Sequence, residues 1–524
     1  LVGAVRRAVR NKAQQKQQIS RFISYPAPVG GWNAVNALAD MSPSEAVALD
    51  NWFPGTGYCE IRGGSISHTT GMTGTGKTLA VYNALNGTNK MFCSTASGVY
   101  DVSVSGVVGT SVAARTNGKH QHLQFGDGTN NYLIMVNGVD KPLYYNGTTW
   151  LAVDGATSPA LTGVATTSLI GVCLFKGRLI FIAKDSLSFW YLAAGAAGGT
   201  LTQFNLSGVA QLGGYLMAAE SWSVDAGDGP DDRMVFVTSK GEVIVYQGNN
   251  PADSAAWSLV GTYHLGEPLG RQCIMKIGSE LVILTKNGAY PLSTVWNLSG
   301  LDFSKAITYK IQPAFNQAAL SYGSNFGWKA IAYPDQNAIL FNIPTAEDGV
   351  HYQYVMNSIT NAWCRFIGWN AEDFGTFNNE LYYCQGTSVI KAWVTHADQG
   401  ANIVAYAKTA FSYFGTKGQL KQFKMFRPVL AANGTINFLL DMDVDFSDTE
   451  IIGLATYAPQ GSALWDVALW DADTWQSGLS ISKNWASPTE WPGYCAAGKL
   501  KMTTSSLDIQ WISTDYVYEV GGGL

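Results

Sequence analysis

The sharpest chemical string in the chain is Gly71-Met72-Thr73-Gly74-Thr75-Gly76-Lys77-Thr78, a match to the G-x-x-x-x-G-K-T phosphate-binding loop. Such a loop works between a buried strand and a helix, whose first amides and dipole hold the phosphates. Here Leu79-Ala80-Val81-Tyr82 and then Asn86-Gly87 follow, which predicts a strand and a turn instead. The acidic-strand-like run Leu179 to Asp185 lies inside a hairpin repeat, so no nucleotide or other cofactor is expected. A second candidate is the set Asp441, Asp443 and Asp445, whose alternation along a strand would put three carboxylates on one face. A helix–loop–helix calcium site needs glycine at its sixth position and glutamate at its twelfth. Phe446 and Ile452 stand there. What remains is an acidic channel wall or weak divalent-cation site on one side, and a solvated strand face on the other.

The other candidates are weaker. His120 and His122 could share a strand face, but nothing near them completes a ligand set. Ser223-Val224-Asp225-Ala226-Gly227 resembles the start of the Asp-box turn of sialidase propellers, yet Pro230 stands where an aromatic is expected. No serine lies in a G-x-S-x-G turn. Cys59, Cys93, Cys173, Cys273, Cys364, Cys384 and Cys495 include no Cys-x-x-Cys pair, which predicts buried reduced thiols and no metal. No enzymatic activity is expected.

The elements that would position these residues follow one rhythm: an apolar strand, a polar turn, and a second strand ending in an aromatic. It occurs at residues 91–100, 132–145, 178–191, 233–246, 280–290, 338–354 and 380–393. The starts are roughly 40–60 residues apart, the span of a four-stranded blade. Asn-Gly pairs at Asn86, Asn117, Asn137, Asn146, Asn287 and Asn433 predict type I′ hairpin turns. The fold expected is all-β: a six- or seven-bladed β-propeller with an additional β-rich platform or tip domain formed by the terminal regions. The divisions read as a basic N-terminal arm (1–35), a connection packing with the C-terminal domain (36–64), the propeller (65–400) and the C-terminal domain (401–524).

Charged residues make up only 14% of the 524, against 12% aromatics and 57 glycines. A surface this neutral suits subunits that bury one another. The net charge of −5 argues against general nucleic-acid binding, but it is uneven. Arg6, Arg7, Arg10, Lys12, Lys16 and Arg21 precede the first acid, leaving −11 on the remainder. This stretch is rich in helix formers, with Pro26 its latest end. It reads as a docking arm for a neighbouring subunit, a solvated tail, or a DNA contact. No run approaches the ~18 apolar residues of a membrane span, so a soluble chain without a membrane segment is expected.

Three blocks then resemble the tail nozzle (tail hub, or packaged-DNA stabilisation) family of short-tailed bacteriophages. The first runs from Gly30-Gly31-Trp32-Asn33 and Leu38-Ala39-Asp40-Met41 through Leu49-Asp50-Asn51-Trp52-Phe53-Pro54 to Arg62-Gly63. The second runs from Trp222 and Asp231-Asp232-Arg233 through Lys240-Gly241-Glu242, Tyr246-Gln247-Gly248 and Gly266-Glu267-Pro268 to Lys286-Asn287-Gly288. The third is Phe414-Gly415, Lys421, Arg427-Pro428 and Asp445-Phe446. The resemblance implies a virion tail protein, assembled in the host cytoplasm as a homo-hexameric ring below the portal and adaptor. That ring would close the channel on packaged double-stranded DNA, open for ejection, and carry tail fibres or spikes. Asp441, Asp443 and Asp445 would then wall the lumen, since repulsion lets DNA slide. The alternative is a propeller tail component that binds or cleaves glycans.

Overall fold

The computed structural model describes residues 20–223, 232–297, 302–451, 454–457, 480–481, 485–487 and 492–523. Within them the chain forms a seven-bladed β-propeller joined to a two-sheet platform. The innermost strands are Thr78–Tyr82, Gln121–Gly126, Leu169–Phe175, Leu216–Trp222, Ile274–Ile277, Lys329–Tyr333 and Phe374–Phe377. Each leads outward into an antiparallel sheet, and the innermost strand of blade 7 lies against that of blade 1. The seven sequence repeats are the middle strand pairs of the seven blades, for example Arg178–Ala183 with Ser188–Tyr191. Those middle strands are apolar without alternation because neighbouring blades cover both faces; Leu179 through Ala183 are all buried. Burying each such Leu, Ile or Phe stabilises the fold by about 1.5–3 kcal/mol.

The ring is closed by a strand from its other end. Ser65–Thr70 pairs antiparallel with Ser388–Ala392 and completes blade 7, and Gly106–Val107 adds a short parallel edge. Blade 1 has three strands, and so does blade 5. The chain after it forms Leu292–Asn297 and Gln312–Tyr322, the latter opening with Pro313 and burying Phe315, Ala318 and Ala319.

The outermost strand of blade 6, Trp363–Ile367, does not end its sheet. It meets Glu45–Asp50, which pairs with Ile403–Thr409, then Ala496–Thr504, Ile436–Val444 and Leu454–Tyr457. A second sheet is built on Gln419–Ala432 and Ile509–Gly523, with Ser20–Pro26, Trp52–Pro54 and Cys59–Ile61 alongside. One apolar core runs from blades 6 and 7 (Leu340, Phe366, Tyr383) into the platform (Phe426, Leu440, Leu500, Trp511).

Two local expectations are corrected. Ser20–Pro26 is a strand, not the end of a helix; its register runs from Ser20↔Glu519 to Pro26↔Ser513. Phe22, Ile23 and Tyr25 suit a strand, and the pairing with the C-terminal strand holds all seven residues extended. The Asn-Gly pairs are not type I′ turns either, since none of their asparagines has a positive φ. At Asn86, Asn117, Asn137 and Asn146 the side chain takes a following amide instead; Asn137 Oδ1 accepts from Val139 and Asp140. Between paired blade strands, Lys176-Gly177 and Asn378-Asn379 make two-residue turns with positive φ at both positions.

Candidate functional site

The first block of the family resemblance folds into the joint between propeller and platform. Asn51 sits at φ 57 just after the Glu45–Asp50 strand, a conformation asparagine tolerates. Its amide donates to Ile367 O (3.1 Å) and Val404 O (2.8 Å), while its Oδ1 accepts from Arg62 Nε and Ile367 N. Arg62 is fully buried, and all five of its N–H donors are engaged. Besides Asn51 they reach Gly63 O, Ile367 O, and both oxygens of Asp398 at 3.0 and 2.6 Å. The guanidinium lies 4.7 Å from the centroid of the Trp369 ring. Gly368 allows this approach, because a Cβ there would meet Asp398 Oδ2 at 2.8 Å and Arg62 Nη2 at 3.0 Å. Beside it Arg365 forks onto Asp50 with two 2.7 Å bonds, and Trp52 packs on Trp511. A groove of about 660 Å³ opens along the joint, lined by Asp50, Gly368, Asp398, Tyr406, Glu450 and Lys501.

The third block holds the platform. Lys421 is buried and donates to the carbonyls of Thr416, Gln419 and Tyr494. Phe414 packs among Tyr25, Phe423, Tyr516 and Tyr518, and Arg427 pairs with Asp515 at 2.8 Å. In the second block Gly241 has φ 81, and a Cβ on it would fall 2.2 Å from Gly266 O. Buried Glu242 accepts from the amides of Gln211 and Leu212.

The expected channel-wall residues are placed elsewhere. Asp441 and Asp443 are 1% and 0% exposed, so they form neither a lumen surface nor a solvated face. Asp443 sits between Lys499 (2.5 Å) and Lys408 (2.7 Å), and Thr449 Oγ1 donates to it at 2.7 Å. Burial pushes its carboxyl up, but the hydrogen bonds from Lys408, Lys499 and Thr449 outweigh that and hold it below its ordinary value. Both its oxygens thus face ammonium groups, which removes it as a cation ligand. Asp445 lies off the strand at φ 49, exposed, and accepts from the amides of Tyr494 and Cys495.

Of the basic arm, Arg6, Arg7, Arg10, Lys12 and Lys16 lie outside the described residues. Arg21 is exposed on the edge strand Ser20–Pro26, opposite Tyr518, and so belongs to the platform sheet. Ser223 ends the innermost strand region of blade 4; Val224 through Pro230 lie outside the described residues, as does the tryptophan-dense stretch 464–475.

The phosphate-loop string has a structural use. Thr78 opens a strand, and Lys77 Nζ lies 2.8 Å from Glu372 and 2.7 Å from Asp348. These contacts occupy the ammonium that a phosphate would need. His120 is buried with Nδ1 3.1 Å from Gly118 O, and burial pushes its imidazole down to about 4. His122 faces a small axial cavity of about 250 Å³ shared with Glu220, Arg271 and Lys329. Burial, with the charge of Lys329 adding to it, pushes that imidazole down to about 3, so both histidines are neutral at pH 7. Lys329 is itself bonded to Asp373 (2.7 Å) and Phe374 O. Among the described residues, no three His, Cys, Asp or Glu side chains converge as a metal site, and no helix is long and apolar enough to cross a membrane.

No family model matches the chain, and no curated protein matches it. Solved structures similar to it include the Pan2 WD40 domain of Neurospora crassa, at 7% identity, TM-score 0.39, covering 63% of this chain and 95% of that one. The Cps50 (Swd1) β-propeller domain of Myceliophteria thermophila gives 12%, 0.39, 63% and 100%. Sqt1 of Saccharomyces cerevisiae gives 9%, 0.39, 63% and 99%. The propeller assignment rests on the sheet order.

Proposed function

We propose that this chain is the tail nozzle subunit of a short-tailed bacteriophage: a mechanical component of the virion, without enzymatic activity. Six copies would form a ring below the portal and adaptor, hold the packaged genome, and open for ejection. The observation that carries this reading is where the resembling residues lie. Asp50, Asn51, Arg62, Lys421 and Arg427 are framework residues that fasten platform to propeller or platform sheet to sheet. A family that shares a joint shares a shape, as a ring subunit must.

The basic arm enters this picture through its anchor. Ser20–Pro26, which follows it in the chain, is held at the platform edge, and the arm would dock on the adaptor or a neighbouring copy. DNA would pass through the lumen between subunits, since the propeller's own axial cavity is far too small for a duplex. Tail fibres or spikes would mount on the outer surface.

Co-sedimentation of the purified protein with the phage's portal–adaptor complex tests the assignment. Saturable binding at six copies per tail, with no signal on a glycan array, is expected. A chain that ignores the complex and binds or cleaves a glycan would replace the nozzle assignment with a receptor-directed one.

A further inference from the structure

The seam where the propeller closes holds two thiols in contact. Cys93 lies on the middle strand Lys90–Thr95 of blade 1, and Cys384 on Glu380–Gln385 of blade 7. They are 291 residues apart in sequence, yet their Sγ atoms are 3.3 Å apart. Both are fully buried in the core between the first and last blades, beside Leu79, Met91, Tyr382 and Val389. The loop over them is the glycine-rich string. Its Gly76 is required there: a Cβ would fall 2.7 Å from Cys93 Sγ and 3.2 Å from Cys384 Sγ. The same loop is bonded to both blades. Met72 N and Gly76 N donate to Thr387 O and Gly386 O on blade 7, and Lys77 N donates to Ser94 O on blade 1.

We infer that Cys93 and Cys384 are a reversible cross-linking site: a thiol pair that a low-molecular-weight disulfide converts to a disulfide stapling blade 1 to blade 7. A disulfide needs an S–S distance of about 2.05 Å, so the two sulfurs at 3.3 Å are already in contact and have about 1.3 Å left to close. The chemistry is thiol–disulfide exchange. One protein thiolate attacks a sulfur of oxidised glutathione and releases one glutathione thiolate, leaving a mixed disulfide. The second protein thiolate then displaces the other glutathione. The two protein sulfurs are oxidised, one glutathione disulfide is reduced to two thiols, and the two protein protons end on them. Cys59 and Cys364 share one core, but among the described residues the Sγ–Sγ contact is that of Cys93 with Cys384. Entry of the reagent requires the 71–77 loop to lift, so the reaction is slow in the cold and accelerates on approach to the melting temperature. A link closing so long a loop constrains the unfolded chain strongly.

The test uses the full chain, incubated with oxidised glutathione at a series of temperatures up to just below melting. Remaining thiols are then alkylated in denaturant and mapped by mass spectrometry. A Cys93–Cys384 peptide pair, two hydrogens lighter than its separate thiol peptides, is expected, with the other cysteines alkylated. Cys93→Ser and Cys384→Ser should each abolish it. The oxidised protein should melt roughly 5–10 °C higher, reversed by dithiothreitol. Recovery of both residues as alkylated thiols at every temperature would overturn the inference. So would a stable mixed disulfide on either one, and both outcomes are read on the wild-type chain whether or not the variants fold.

Discussion

Asp443→Asn is expected to destabilise the platform by about 3–5 kcal/mol, the cost of leaving buried charge without its partner. Lys499 is fully buried, and among the described residues its ammonium bonds Asp443 at 2.5 Å and Thr449 O and Oγ1. Lys408 keeps exposed Asp448 at 2.9 Å but loses its 2.7 Å contact. Asparagine fills the space without supplying charge, so urea unfolding monitored by tryptophan fluorescence should show a lowered midpoint with little change in slope. A combined Asp443→Leu, Lys408→Met and Lys499→Met variant should recover much of the loss, because an apolar replacement removes all three desolvation costs together. The pH dependence has a definite sign. A carboxyl held below its ordinary value contributes stability that is present above its unfolded pKa of about 3.9 and is lost as pH falls through the folded value. The wild type should therefore lose this increment only below about pH 4, while the asparagine variant lacks it throughout. Equal stability of the two at pH 7 would show that the cluster is not the platform's internal clamp.

Arg62→Met is the second large change, again expected to cost about 3–5 kcal/mol. It empties five donor positions at once and leaves Asp398 with Ser65 Oγ (3.3 Å) and Trp369 Nε1 (3.1 Å) as its hydrogen-bonding side chains. Arg62→Lys should recover only part, since a lysine has three donors and no planar fork to match the carboxylate. The effect should also be directional. One core spans the joint, so the wild type is expected to unfold in one calorimetric transition. The methionine variant should split into two, with early proteolysis in the 393–402 connection between the last blade strand and the platform. A variant that melts in one transition at the wild-type temperature would mean that Arg62 does not couple the two parts.

What the sequence revealed followed from how local each feature is. All seven repeats were legible because each is a hairpin whose two strands lie within about twenty residues, with an apolar run, a turn and an aromatic stop. The repeat alone leaves six or seven blades open, because the closing strand Ser65–Thr70 reads Ser-Ile-Ser-His-Thr-Thr and nothing in it names Ser388–Ala392 as its partner. The Asp441–Asp443 alternation correctly marked a strand and a shared face. Its environment was misread because Lys408 and Lys499, the residues that neutralise Asp443, are 35 or more positions away and come together only through the Ile403–Thr409, Ala496–Thr504 and Ile436–Val444 strand order. The helix Gln312–Tyr322 carries a local signal that the strand rhythm overshadows: Pro313 at its start, then Phe315, Ala318 and Ala319 at helical spacing. Arg62 belongs to the first resembling block, but its role depends on Asp398, 336 residues later, and no local pattern announces it.

The central claim, a ring-forming mechanical subunit, is tested most directly by negative-stain imaging of the purified chain with and without the portal–adaptor complex. Six-fold rings capping the adaptor, with propellers arranged around an open lumen, are the expected result. Monomers or trimers that leave the adaptor bare at every concentration would contradict it.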